Sequence, residues 1–172
     1  MNKASFHADW TMMRLRHGMA LRLIEMLPAD KLDSNPIANM RTPKELVAHM
    51  YAFMKLAPEG VLAGKLGDSP KETEIAKTIP TRDALLAYAK QSWVDADAAV
   101  HKLTDAHFAA MVPTPWGKPF PGAMIMGFVG DEFLHHRGQL YAYARALGVE
   151  PPMMWDFEHN APEFQMSATA SS

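Results

Sequence analysis

Apolar residues return every three or four positions over four stretches of this chain, and each stretch is framed by residues that start or stop helices. In the first, about Phe6 to Leu27, the residues Phe6, Trp10, Met13, His17, Leu21 and Ile24 make one stripe, with Arg14, Arg16 and Arg22 off it and Pro28 as the stop. The second opens at Thr42-Pro43-Lys44-Glu45, where Thr42 is the N-cap, Pro43 the first helical residue and Glu45 the returning partner of a capping box. Its stripe is Leu46, His49, Met50 and Phe53, and the helix is expected to fray before Pro58.

Residues 58 to 80 carry Gly60, Gly64, Gly67, Pro70 and Pro80 and read as a long connection holding a short helical turn. Thr81 caps a third helix whose inner face is Leu85, Tyr88, Ala89, Ser92, Trp93, Ala96, Ala99, Val100 and Leu103. Four prolines between 111 and 122, around Trp116-Gly117, exclude helix there. The fourth helix, roughly Gly122 to Leu147, ends at Gly148 with Pro151-Pro152 beyond. No repeat and no period-two stretch long enough for a strand is present. The pattern therefore predicts an all-α protein, a four-helix bundle with a long crossover connection between helices two and three. Residues 1–155 form one domain, and residues 156–172 are expected as a loosely ordered tail.

Composition supports one packed core: 172 residues are 48% hydrophobic and 21% charged. The net charge is −2, and the 17 Lys and Arg are scattered, which argues against nucleic acid, whose phosphates are met by clustered cations. No apolar run approaches the roughly 20 residues that span a bilayer, and the N-terminus lacks a signal-peptide core, so a cytoplasmic location without membrane contact is expected. The chain has no cysteine, which removes disulfides, thiolate ligands and a cysteine nucleophile, so any thiol chemistry must use a supplied thiol. Its 14 Met are read mainly as core filler.

Candidate chemistry sits in the run Asp131-Glu132-Phe133-Leu134-His135-His136-Arg137-Gly138-Gln139-Leu140. At ~100° per residue, Glu132 and His136 fall inside the apolar stripe set by Ile125, Val129, Phe133, Leu140, Tyr143 and Leu147. A buried carboxylate needs a cation or hydrogen bonds, and residues four apart share a helix face, so the two can coordinate one ion together. His49, polar among Leu46, Met50 and Phe53, is the third donor by the same logic. Two imidazoles and a carboxylate in an open site suit Zn²⁺, Fe²⁺ or Ni²⁺. His135 is a rival ligand about 100° away, for which a secondary or surface role is favoured. His17, central in the first stripe, is read as a core or supporting histidine, with a fourth ligand as the alternative. Gln139 could hydrogen-bond a ligand imidazole. Trp116 and Tyr143 are candidates to wall a substrate pocket, with plain core as the commoner fate. Arg137 is expected to point away into a solvated or interhelical ion pair, and Gly138 to ease close helix packing.

His-His-Arg-Gly-Gln-Leu at 135 to 140, with Leu147-Gly148-Val149-Glu150-Pro151-Pro152 after it, resembles the C-terminal signature of the DinB-like, YfiT-type helical-bundle family. Arg41-Thr42-Pro43 with Glu45-Leu46 and His49 resembles that family's second helix. The resemblance implies a metal held by one histidine of helix two and two histidines four apart on helix four. Those positions are His49, residue 132 and His136, and here residue 132 is Glu. Glu keeps a competent ligand and adds a negative charge, which shifts metal preference and puts in doubt any activity that needs three histidines.

The family resemblance further implies a homodimer acting on a small-molecule substrate or ligand. Its activities include transfer of low-molecular-weight thiols, with a thiol cosubstrate, and hydrolysis. No nucleophile triad or phosphate loop is present, so no catalytic residue is assigned beyond the metal donors. Against the enzyme stand two other readings: a non-catalytic dimeric binding or sensor module with a structural metal, and a metal-free polar network in which Glu132 pairs with a histidine.

Overall fold

A computed structural model describes residues 2–166 of the chain, and it is mostly helical. Helix α1 (Lys3–Met26) begins at Asn2, whose side chain accepts from the Ser5 N–H while the Ser5 hydroxyl accepts from the Asn2 N–H. The whole expected stripe of α1 is buried, and so are Leu15, Met19 and Leu23 on its flank. Helix α2 (Pro43–Ala63) starts with the capping box read from the sequence: the Glu45 N–H donates to Thr42 Oγ1 at 3.2 Å and the Thr42 N–H to Glu45 Oε2 at 2.9 Å.

Pro58 does not end α2, contrary to expectation. The helix runs through it to Ala63 and stops at Gly64, whose φ of 75° is the left-handed conformation glycine tolerates. A mid-helix proline forfeits one backbone hydrogen bond at a cost of about 3 kcal/mol. Here the turns on both sides are buried, with Met54, Ala57 and Val61 almost fully enclosed, and their packing outweighs that loss. The crossover therefore occupies residues 64–81 and carries the short helix α3 (Glu72–Lys77).

Helix α4 (Arg82–Lys102) is capped by Thr81, which accepts from the Ala84 N–H at 3.1 Å. The short helix α5 (Asp105–Ala109) follows, then β1 (Met111–Val112) and β2 (Phe120–Pro121), which pair antiparallel with Met111 opposite Pro121 and Val112 opposite Phe120. The sequence pattern predicts neither α5 nor this ladder, because two-residue strands contain no alternation to read. Helix α6 (Gly122–Ala146) then leaves the ladder at Gly122, where an added Cβ would collide with the His107 carbonyl oxygen of α5. It closes with Gly148 at φ 78°, the Gly148 N–H donating to Arg145 and the Val149 N–H to Ala144, a Schellman arrangement.

Both α1 and α2 pack against α4 and against α6, and one hydrophobic core fills the space between them. Trp10 of α1 and Trp93 of α4 stack at 5.0 Å between centroids, 9° from parallel. Not every methionine is filler: Met26, Met111, Met124, Met153, Met154 and Met166 are exposed. The start of the expected tail is also different, since residues 156–166 lie against α1. Phe164 and Asn160 are buried there, Asn160 donates to the Leu15 carbonyl at 2.9 Å, and Gly18 leaves the space both side chains occupy. Residues 167–172 of that tail lie outside the described residues. Among the described residues no helix is long and apolar enough to cross a membrane.

Candidate metal centre

His49 sits in the second turn of α2, and Glu132 and His136 occupy successive turns of α6, so the contact between these two helices brings the three side chains together. One donor atom from each lies within 4.8 Å of the others. Glu132 Oε2 is 2.9 Å from His136 Nε2 and 3.6 Å from His49 Nε2, and the two imidazole planes are nearly perpendicular at 88°. Ligands about 2.1 Å from one ion stand roughly 3–3.5 Å apart. The donor set therefore fits a single divalent ion.

Exposure differs across the three. The side chain of His136 is 6% exposed, that of His49 24% and that of Glu132 43%. The helical wheel aims Glu132 at the core, but its carboxylate reaches the rim of the α2–α6 contact, where solvent meets it. The site is thus walled on one side and open on the other, as a centre that admits a ligand must be.

Hydrogen bonds orient the imidazole of His136. Its Nδ1–H donates to Gln139 Oε1 at 2.9 Å, and the amide group of Gln139 donates in turn to His135 Nε2 at 3.0 Å. Nε2 faces the Glu132 oxygen at 2.9 Å, and the two are joined either by a proton on Nε2 or by a metal ion between them.

His49 stands between two carboxylates. Glu132 faces its Nε2, and Glu72 of α3 approaches its Nδ1 at 3.7 Å while also holding Arg41 Nε at 2.7 Å. Burial is the main cause that lowers the His49 pKa from its ordinary value, with the charges of Arg41 and His136 adding to it against the pull of Glu72 and Glu132. At Glu72, burial works to raise the carboxyl, but its own backbone hydrogen bond and Arg41 outweigh it and the shift is downward. Glu72 is thereby an ionised carboxylate beside the far nitrogen of His49, at 3.7 Å too far for a hydrogen bond but near enough to act on its charge. The sequence reading missed it, because the six-residue α3 within the crossover is too short to show a helical stripe.

The remaining candidates separate. His135 is exposed and offers no atom to the donor set: it accepts from Gln139, and its ring meets that of His136 edge-on at 4.9 Å. His17 is fully buried and apart from the three donors: its Nδ1 is 2.7 Å from the Tyr51 hydroxyl, its ring stacks on Trp93 at 4.8 Å, and its Nε2 has no partner. Burial drives its pKa down to about 3, so it is a neutral core histidine. Tyr143 is wholly buried and donates to the Arg41 carbonyl at 2.7 Å, tying α6 to the entry of α2. Trp116 is half-exposed in a cluster with Phe53, Phe120 and Phe128. Phe53 lies one turn after His49 and Phe128 one turn before Glu132, which sets this aromatic cluster beside the donors.

Two further expectations are corrected. Arg137, expected in solvent or an ion pair, is 5% exposed and makes no hydrogen bond or ion pair among the described residues. Gly138 is exposed with nothing within 4 Å of an added Cβ, so it does not serve close helix packing. Arg137 and Gly138 both line a cavity between α6 and the segment near Trp155, on a face that a helical wheel assigns to solvent. A second grouping of possible donors, Asp156, Glu158 and His159, lies on the surface, where Asp156 is already engaged by Arg22 at 2.9 Å.

No functionally curated protein is detectably similar in sequence to this chain. Among solved structures it is similar to a DinB-like protein, YjoA, from Bacillus subtilis, with a TM-score of 0.65 and 19% identity over 81% of this chain and 91% of the other. At that identity the likeness speaks for the fold alone. Residues 11–165 match the sequence profile of the DinB family, nearly the whole described chain, and the chain belongs to that family.

Proposed function

We propose that this chain is a metal-dependent enzyme of the thiol-transferase or hydrolase type, holding one divalent ion with His49, Glu132 and His136. The helices that carry these residues are read as the expected four-helix bundle, with the crossover between α2 and α4 supplying Glu72. The observation that carries the reading is the convergence of three donors from two helices beside an open rim. A divalent ion in such a place lowers the pKa of a thiol or water that reaches it. Zinc, nickel and iron all suit the donor set.

The chain's own residues then have distinct tasks. Gln139 orients the imidazole of His136, Glu72 sets a negative charge beside that of His49, Glu132 would lower the net charge of the bound ion, and Trp116 with Phe53, Phe120 and Phe128 offers an apolar wall to the body of a small substrate. Because the chain has no cysteine, the thiol in a transferase reaction is a cosubstrate. A homodimer is part of this reading on the family resemblance, and light scattering at micromolar concentration tests it.

The first experiment is elemental analysis of protein purified without chelator or affinity tag, alongside Glu132→Ala. Near one equivalent of zinc, nickel or iron that disappears in the variant supports the site and directs the search to thiol-dependent and hydrolytic substrates. A wild type that neither carries nor takes up metal overturns it in favour of a metal-free network, in which a proton bridges Glu132 and His136.

A further inference from the structure

On the face of α6 turned away from the metal donors, a cavity of about 470 Å³ is lined by Arg16, Leu134, Arg137, Gly138, Tyr141, Met154 and Trp155. Its polar lining is unusual because it is unpaired. Arg137 is 5% exposed, and both its Nη1 and the Tyr141 hydroxyl are buried without a hydrogen-bond partner. Arg16 joins no hydrogen bond or ion pair among the described residues, although its neighbours on α1 do. Arg14 donates to the Glu163 and Gln165 carbonyls, and Arg22 donates to the carbonyl and carboxylate of Asp156.

A guanidinium stays charged in a protein, and a buried charge without a counter-ion costs several kcal/mol. The Asp156 carboxylate, which acts on Tyr141, is taken by Arg22 at 2.9 Å, while Arg22 and Arg145 add positive charge around the same hydroxyl. Beside these groups lie Leu134, on the same stripe of α6, and Met154 and Trp155 from the chain beyond it, all substantially exposed apolar side chains. A hydroxyl and two guanidiniums together with aromatic and aliphatic side chains in one cavity match a ligand with an anionic head and an apolar body.

We infer that this cavity is a second binding site, separate from the metal centre, for a small carboxylic acid with an apolar body, its carboxylate accepting from Arg137 and Tyr141 and its body lying on Trp155. The site stands whether or not the metal reading does. Gly138 adds to it, since the absence of a side chain there keeps the cavity open.

Benzoate is the probe, titrated into the full-length protein and followed by the indole N–H signal of Trp155 and the side-chain signals of Arg137 in NMR spectra. Saturable shifts are expected, at least tenfold weaker in Arg137→Met and in Gly138→Leu and unchanged in His49→Ala. Arg137→Met removes a buried charge without leaving a cavity, so the variant folds, and the loss reads on binding. Benzyl alcohol, with the same body and no charge, and inorganic phosphate, with charge and no body, are each expected to bind at least tenfold more weakly than benzoate. Equal binding of either overturns the proposed ligand class. Loss in His49→Ala with retention in Arg137→Met assigns benzoate to the metal centre and overturns the site. So does a Trp155 signal that responds to protein concentration and not to benzoate, which identifies the face as a contact between copies of the chain.

Discussion

Glu132 Oε2 and His136 Nε2 face each other at 2.9 Å across one turn of α6, with His136 held from behind by Gln139. This pair cannot lose either member without leaving the other unmatched. We expect Glu132→Gln and His136→Ala each to weaken zinc binding by more than tenfold, and His135→Ala to leave it within about twofold. Isothermal titration of chelator-stripped protein measures this, and equal losses in all three variants would remove the assignment.

The supporting groups give a graded outcome. Glu72→Ala and Gln139→Ala should lower metal affinity about tenfold, toward the weaker end of what such orienting partners contribute, without displacing the metal. Competition against a chromophoric chelator resolves the change. Unaltered affinity in both variants would show that the imidazoles are fixed by packing alone.

His17 sets a pH dependence that belongs to folding. Its pKa is about 3 in the folded protein against an ordinary 6.5. Between those values the unfolded chain binds a proton that the folded chain refuses, so stability falls as the pH drops below 6.5, at up to about 1.4 kcal/mol per pH unit, and stops falling through this residue below pH 3. Denaturant unfolding of wild type and His17→Leu at pH 7, 6, 5 and 4 checks the sign: the variant should show the shallower decline. Parallel curves would mean that His17 accepts a proton in place.

Gly122→Ala tests how α6 is positioned. The added methyl meets the His107 carbonyl, a backbone atom that cannot rotate aside, so the junction of α5 and α6 must shift. A loss of about 2 kcal/mol or more is expected in chemical denaturation, while Gly138→Ala, with open space around it, should change stability by less than about 1 kcal/mol.

How far the sequence carried depends on the kind of signal. Thr42 and Glu45 form their capping box, and the His49, Glu132 and His136 side chains meet, because caps and helical stripes are local rules that packing here leaves intact. Pro58 shows where local rules fail: its helix continues because neighbours distant in sequence bury the turns around it. Arg137 differs for a related reason, since a helical wheel knows one buried face and Arg137 lies on another, where α6 meets the segment near Trp155. Glu72, at the start of the six-residue α3, and Asn160 and Phe164 beyond the last long helix lie in segments too short for a period to mark a residue as inward-facing.

Glu72 belongs to a connection, not to either helix that supplies the donors, yet its carboxylate stands beside His49. A lineage can therefore alter the basicity of that imidazole by a single change in the crossover while every core position stays as it is. Reactivity and foldability are in this way assigned to different parts of the chain, and a designer who wants a new preference at the centre has a place to begin that does not disturb the packing.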